Sequence, residues 1–170
     1  ILLASFLTLI FTESKRQRVS RIINKVSIKM GNWLRGQLLL MVIVGVASGG
    51  GLAILGVPYA LLLGLWAGLT EIVPYVGPIL GAIPGIIVAF TAFGVVKTLI
   101  ALAIYVAIQQ LESQFLVPKI IGKALGISPV AIIFAFLIGG KLLALIGVLF
   151  SIPILAALSV LYDEWQRSDR

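Results

Sequence analysis

The chain has 170 residues, of which 61% are hydrophobic and 11% charged, with a formal net charge of +7. Soluble domains carry roughly 45–50% apolar and about 25% charged residues, so this composition describes an integral membrane protein. Its basic balance is not a nucleic-acid signature: seven of the thirteen basic residues fall between Lys15 and Arg35, beside apolar spans, where a cytoplasmic excess is expected. Cys and His do not occur in the sequence. That excludes disulfides, zinc or haem ligation through those residues, and any Ser-His or Cys-His nucleophile. There is no HExxH motif and no GxxxxGK[ST] phosphate loop, so neither an enzyme nor an ATP-driven machine is expected, and no metal or cofactor is assigned.

Residues 1–12 begin inside an apolar run, without a starting Met or a basic leader, and read as the end of a truncated transmembrane helix of a longer chain. Residues 13–37 are basic and amphipathic, with Val19, Ile22, Val26, Met30 and Trp33 on one helical face. This stretch either lies on an anionic cytoplasmic leaflet, with Trp33 and Arg35 at the headgroups, or packs as a linker helix. Residues 38–55 are free of charge and reach about 27 Å as a helix. Gly45 and Gly49 are spaced GxxxG within them, which permits close helix contact and makes a homo-oligomer an expectation.

After a turn at Gly56-Val57-Pro58 comes the most informative block, residues 71–85, EIVPYVGPILGAIPG. Pro74, Pro78 and Pro84 with Gly77, Gly81 and Gly85 interrupt an apolar run from Tyr59 to Phe93, and Glu71 stands at the edge of the interruption. In lipid, irregular backbone survives only where protein or trapped water satisfies it. A broken apolar helix carrying a carboxylate therefore suggests a site. The flanking arms, 59–73 and 79–93, are each short for a core of roughly 30 Å. They form a re-entrant hairpin or two short tilted spans, with Pro84 in the second arm.

Residues 95–113 make the next span, and its end carries Gln109, Gln110, Glu112 and Ser113. Gln109, Glu112 and Ser113 share a face at i, i+3, i+4 spacing and could wall a cavity or simply reach headgroups. Residues 115–128 read as a loop broken by Pro118, Gly122 and Gly126. A second hairpin occupies 129–162, with Lys141 at its junction and Pro153 as a further break. The tail, 163–170, is charged and expected in the cytoplasm.

The two interrupted segments resemble each other: Pro58 to Gly68 aligns with Pro129 to Gly139, and Gly77 with Gly147. One span plus one hairpin crosses the membrane an odd number of times, so the second unit is inverted. Paired interrupted segments in inverted halves point to a transport site between them. The expected fold is therefore an all-α integral membrane bundle, 38–162, with two re-entrant hairpins in an inverted repeat. Their tips are expected near mid-membrane, and Lys141, opposite Thr70 in the alignment, would pair with Glu71.

With these residues in order, the chain resembles the autoinducer-2 exporter family of bacterial membrane transporters. The resemblance rests on Gly36-Gln37, the Leu61–Gly85 block, Gln109 with Glu112, Pro118-Lys119, GISP at 126–129, the Gly139-Gly140 pair, and Gly147 through Pro153. It implies a secondary transporter in the bacterial inner membrane that exports a small polar molecule on an ion or proton gradient. Sodium–proton exchange is the alternative it allows. The expected pathway residues are Glu71, Pro74, Gly77, Pro78, Pro84, Gln109, Glu112, Lys141 and Pro153. An oligomeric scaffold or a passive channel is the reading of another class. Lipids and a small solute, cation or proton are the expected partners; nucleic acid is not.

Overall fold

A computed structural model describes residues 13–73, 76–122 and 128–168, and every regular element among them is helical. In chain order these are α1 (Glu13–Leu55), α2 (Ala60–Thr70), α3 (Gly77–Phe93), α4 (Val95–Leu111) and α5 (Pro129–Ser168), with π-helical turns at Glu112–Leu116 and Pro118–Gly122. The chain forms two compact units, Trp33–Gly126 and a second made of residues 1–32 with 127–170. α1 contributes to both. Two stretches, Val19–Leu55 and Val95–Ile120, are long and apolar enough to cross a membrane.

In the unit Trp33–Gly126 small residues share the core with Leu40, Leu52 and Leu63, and many large apolar side chains lie outside it. Large side chains such as Val46, Ile54, Leu61 and Leu65 point outward, while Ala60, Gly64, Ala67, Ala89 and Ala101 are buried. Lipid tails solvate leucine as well as a protein core would, so contact between helices rests on small residues that let backbones approach. The glycines show this directly. A Cβ on Gly64 would lie 2.6 Å from the Gly45 carbonyl oxygen and the Gly49 Cα, and one on Gly45 would lie 3.3 Å from the Gly68 Cα. The GxxxG face of α1 is thus occupied by α2 of the same chain.

α1 ends at the expected turn. Gly56 takes φ 81°, its N–H donates to Ala53 O at 3.0 Å, and Val57 N–H donates to Leu52 O at 2.9 Å. This paired 6→1 and 5→2 pattern satisfies the last carbonyls, and it needs a residue that tolerates a left-handed torsion. Lys97 donates to Leu55 O at 3.4 Å and lies 3.8 Å from the centre of the Phe93 ring. Gly94, at φ 73°, turns α3 into α4.

The first hairpin differs from its expected bounds. α2 has 11 residues and α3 has 17, rather than two equal arms. α3 starts early because Pro78 falls in its first turn, where the missing N–H has no helical partner to lose. Pro84 lies inside α3 and does not break it. A proline there cannot donate to the carbonyl of Leu80, and the indole Nε1 of Trp66 on α2 donates to that oxygen at 3.1 Å. The expected break has become a joint between the two arms.

Three further expectations change. Residues 13–55 form one helix rather than a linker and a separate span, since nothing between Arg35 and Leu38 interrupts backbone pairing. Trp33 is buried rather than set among headgroups, while Arg35 is exposed. The stretch expected as a loop after residue 114 continues as wide π-helical turns to Gly122, with Pro118 opening the second turn; 123–127 lie outside the described residues.

In the other unit, α5 is two helical arms, Val130–Ala144 and Ile146–Tyr162, meeting at non-helical torsions at Leu143 and Ala144. Gly139 and Gly147 face each other so closely that a Cβ on either would collide with the other's backbone. Ser151 Oγ donates to Ala135 O at 2.8 Å across the arms, with Gly147 O 2.6 Å away. Pro153 sits within the second arm, so the break belongs to 143–144 and not to Pro153. Lys29 of α1 reaches Ser159 Oγ at 3.1 Å, which packs this part of α1 on the second arm.

Candidate functional site

Four helical faces of the unit Trp33–Gly126 converge. On α1 a buried stripe runs through Gln37, Leu40, Val44, Ser48 and Leu52, spaced three, four, four and four residues apart. On α2 a buried stripe runs through Ala60, Gly64 and Ala67 and continues to Glu71 at the helix end. α3 offers the small-residue stripe Gly77, Gly81, Gly85 and Ala89, and α4 brings Ala101, Tyr105 and then Glu112. Each stripe follows from the 3.6-residue period of the helix.

The result places the two carboxyl groups together. Glu71 is 1% exposed and Glu112 5%, and their carboxyls meet at hydrogen-bonding distance. Gln37, 2% exposed, donates from Nε2 to the main-chain oxygen of Glu71 at 2.5 Å. One oxygen of each group remains without a protein partner: Glu71 Oε2, Glu112 Oε2 and Gln37 Oε1. Glu112 also borders a cavity of about 460 Å³, mostly apolar, whose polar lining it shares with Ser48, Tyr105 and Gln109. Ser48 Oγ and Tyr105 Oη are also buried and unpartnered. The Tyr105 hydroxyl occupies the space a side chain at Gly85 would need.

Buried polar groups are costly unless satisfied, and the cost rises in a low-dielectric interior. A cluster of five such side chains among apolar helices is therefore a place to hold something polar. Its level is set by Gln37. The pair lies beside the charged end of α1, since Gln37, which bonds Glu71, is two residues from Arg35. α2 runs antiparallel along α1, with Ala60 facing Gly49 and Gly68 facing Met41 and Gly45, so its end arrives at the polar end of its neighbour.

A model of the AI-2E family transporters matches residues 3–167. The chain belongs to the AI-2E transporter family. It is 39% identical over 156 residues to "Putative transport protein YrrI" of Bacillus subtilis (strain 168), covering 91% of this chain and 44% of that protein. It is 36% identical over 153 residues to "Putative transport protein YueF" of the same organism, covering 90% and 41%. It is 29% identical over 146 residues to "AI-2 transport protein TqsA" of Escherichia coli (strain K12), covering 86% and 41%. The chain thus spans about two-fifths of the length of the relatives it matches. These relatives are named as transport proteins, not enzymes, and with the apolar helices they mark a membrane protein.

Of the expected pathway residues, this AI-2E chain brings Glu71 and Glu112 together, and Pro78 and Gln109 line the adjoining cavity. Gly77 packs on the backbone of Thr70 and Glu71, closing the hairpin. Pro84 serves the Trp66 joint instead. Pro74 lies outside the described residues. Lys141 and Pro153 belong to the other unit, where Lys141 is exposed. Ser113 leaves the polar face, since the π-turn that begins at Glu112 changes the register, and it bonds Gln110 O at 3.3 Å.

Sequence reasoning missed the roles of Gln37 and Ser48. Both interrupt, at i and i+11, the apolar stripe of the charge-free stretch 36–55, which is the pattern that could have found them. It also missed the pairing, although Glu71 and Glu112 are the only acidic residues between Glu13 and Asp163.

Proposed function

We propose that the protein is a secondary transporter of the bacterial inner membrane that moves a small polar solute, using an ion or proton gradient. The observation that carries this reading is the buried pair Glu71 and Glu112 beside a cavity with four polar lining residues. Ionisable groups inside membrane helices are expensive, and they occur where ions, protons or substrates pass. A cavity of this size suits a small molecule; volumes of about 300–1,000 Å³ are usual for such sites. The name of TqsA makes autoinducer-2 the first solute to test.

In this reading α1 enters from the cytoplasm, the Gly56–Pro58 turn faces outward, and the C-terminus is cytoplasmic, because the basic residues between Lys15 and Arg35 and those of the tail then fall on one side. Cation–proton exchange is the second reading, favoured by the carboxyl pair itself.

The test is flux through the full-length protein in liposomes, with and without imposed proton and sodium gradients. Gradient-driven solute uptake that falls at least about tenfold in Glu71→Gln supports the proposal, a loss of about 1.4 kcal/mol in coupling. Solute flux that ignores every gradient means a passive channel. Cation flux without solute flux means the exchanger.

A further inference from the structure

We propose that Glu71 and Glu112 form one proton-binding site, whose shared proton fastens the end of α2 to the end of α4. The inference deepens the transport reading above and rests on it only for its consequence. The bond itself follows from geometry.

Two carboxyl groups at hydrogen-bonding distance contain no donor unless one of them carries a proton. The observed contact is therefore an O–H on one carboxyl donating to an oxygen of the other. Among the described residues, the other groups facing the pair supply no cation. α1 presents the Gln37 amide, which has spent an N–H on the Glu71 main chain. α3 presents Gly77 backbone, and α4 presents Tyr105, two turns from Glu112. Arg35 on α1 is exposed.

The unpartnered oxygens point the same way. Gln37 Oε1, Glu71 Oε2 and Glu112 Oε2 are all acceptors on side chains at least nine-tenths buried, and no donor among the described residues reaches them. Ser48 and Tyr105 hydroxyls line the cavity that Glu112 also borders, giving a departing proton polar groups to meet.

The chemistry of release is simple. The O–H bond breaks, its electron pair stays on the carboxyl oxygen, and the proton leaves through the cavity. The hydrogen bond is lost with it, and two anions then face each other in a site that excludes water. Like charges at such a distance cannot both persist. The Gln37 bond to the Glu71 main chain and the packing of Gly68 on α1 still hold the end of α2 to α1, but nothing fastens it to α4, and it moves away from α4. The fastening is present while the proton is bound, and it is lost as pH rises through the titration of the pair. One gradient ion thereby controls one contact of the first hairpin.

The experiment places spin labels at Leu69→Cys and Leu111→Cys in the full-length protein, with no other cysteine, in nanodiscs. These side chains are 53% and 57% exposed on α2 and α4, flanking the pair. The label distance is measured from about pH 5 to about pH 10. One short distance at low pH should give way to a second, longer by about a helical turn, ~5 Å, at high pH. Glu112→Gln should hold the short distance at every pH, because its amide N–H replaces the shared proton. If that variant does not fold, Glu71→Gln makes the same substitution from the other side. An unchanging distance in the unsubstituted pair overturns the proposal, as does equal lengthening in the Gln variant. Neither outcome needs the solute: a pH-dependent distance without any solute flux keeps the proton site and removes the transport reading.

Discussion

The two hairpins close by the same means and differ at their tips. In the first, a side chain at Gly77 would strike the backbone of Thr70 and Glu71; in the second, Gly147 and Gly139 stand in the same relation. Among the described residues a side-chain bond crosses the arms of each, Trp66 to Leu80 O in the first and Ser151 to Ala135 O in the second. At the first tip the chain leaves the helix beside a carboxyl that is 1% exposed. At the second it turns within Leu143 and Ala144, with Leu142 and Leu143 exposed and Lys141 exposed beside them. Closure is a backbone property that both segments share. Ionisable chemistry is buried in one of them.

The sharpest test of shared closure is a bulky residue at each glycine. Gly77→Leu and Gly147→Leu each put a side chain into backbone that cannot yield, so both should cost more than about 4 kcal/mol and leave little folded protein. Gly50→Ala meets open space and should be neutral or stabilise α1 by about 0.5–1 kcal/mol. Monodispersity in detergent and thermal midpoints of the full-length protein measure all three. Tolerance at one of the two hairpin glycines alone would break the comparison.

Much of this was legible in the sequence because it depends on local period and punctuation. The apolar runs, the Gly56 turn, the boundary at Gly94 and the stripe of small residues are all set within a few positions along the chain. Which face meets which is not local. Gly45 and Gly49 announce a close contact, but only the fold shows that α2 fills it. Glu71 and Glu112 are separated by 41 positions, and their meeting depends on α2 running antiparallel to α1 and on α4 returning beside it. Pro84 misled for a related reason: the carbonyl it frees is visible in sequence, but the indole that bonds it comes from another helix.

The tips can be separated by smaller changes. Glu112→Ala leaves the Glu71 carboxyl buried with no side-chain partner, a loss of about 2–3 kcal/mol for a hydrogen bond involving an ionisable group in such a place. Ser151→Ala removes one bond across the second hairpin, but Ala135 lies inside a helical arm, so about 1 kcal/mol is expected. Denaturant midpoints in detergent, read on both variants under one set of conditions, give the difference. Equal costs would mean that the carboxyl pair is ordinary packing and that the tips are not distinct.

The smallest effect lies in the cross-arm bond of the first hairpin, and it can be isolated. Trp66→Phe keeps an aromatic ring on the face of α2 but removes the N–H that reaches Leu80 O. With Pro84 in place, that carbonyl then has no helical donor, because residue 84 carries no N–H. The expected cost is about 1 kcal/mol, and more if no water reaches the site. Pro84→Ala restores a donor to the same carbonyl from within α3. In that background Trp66→Phe should cost almost nothing, so the two substitutions should show a coupling of about 1 kcal/mol in a double-mutant cycle. Coupling indistinguishable from zero would mean that Trp66 acts through its ring alone and that Pro84 has no part in joining the arms. The second hairpin supplies the control. Pro153 lies within one arm of α5, and Ser151 reaches Ala135 on the other. Substituting Pro153→Ala should therefore leave the cost of Ser151→Ala unchanged, since residue 153 would pair with the carbonyl of residue 149 and not with Ala135.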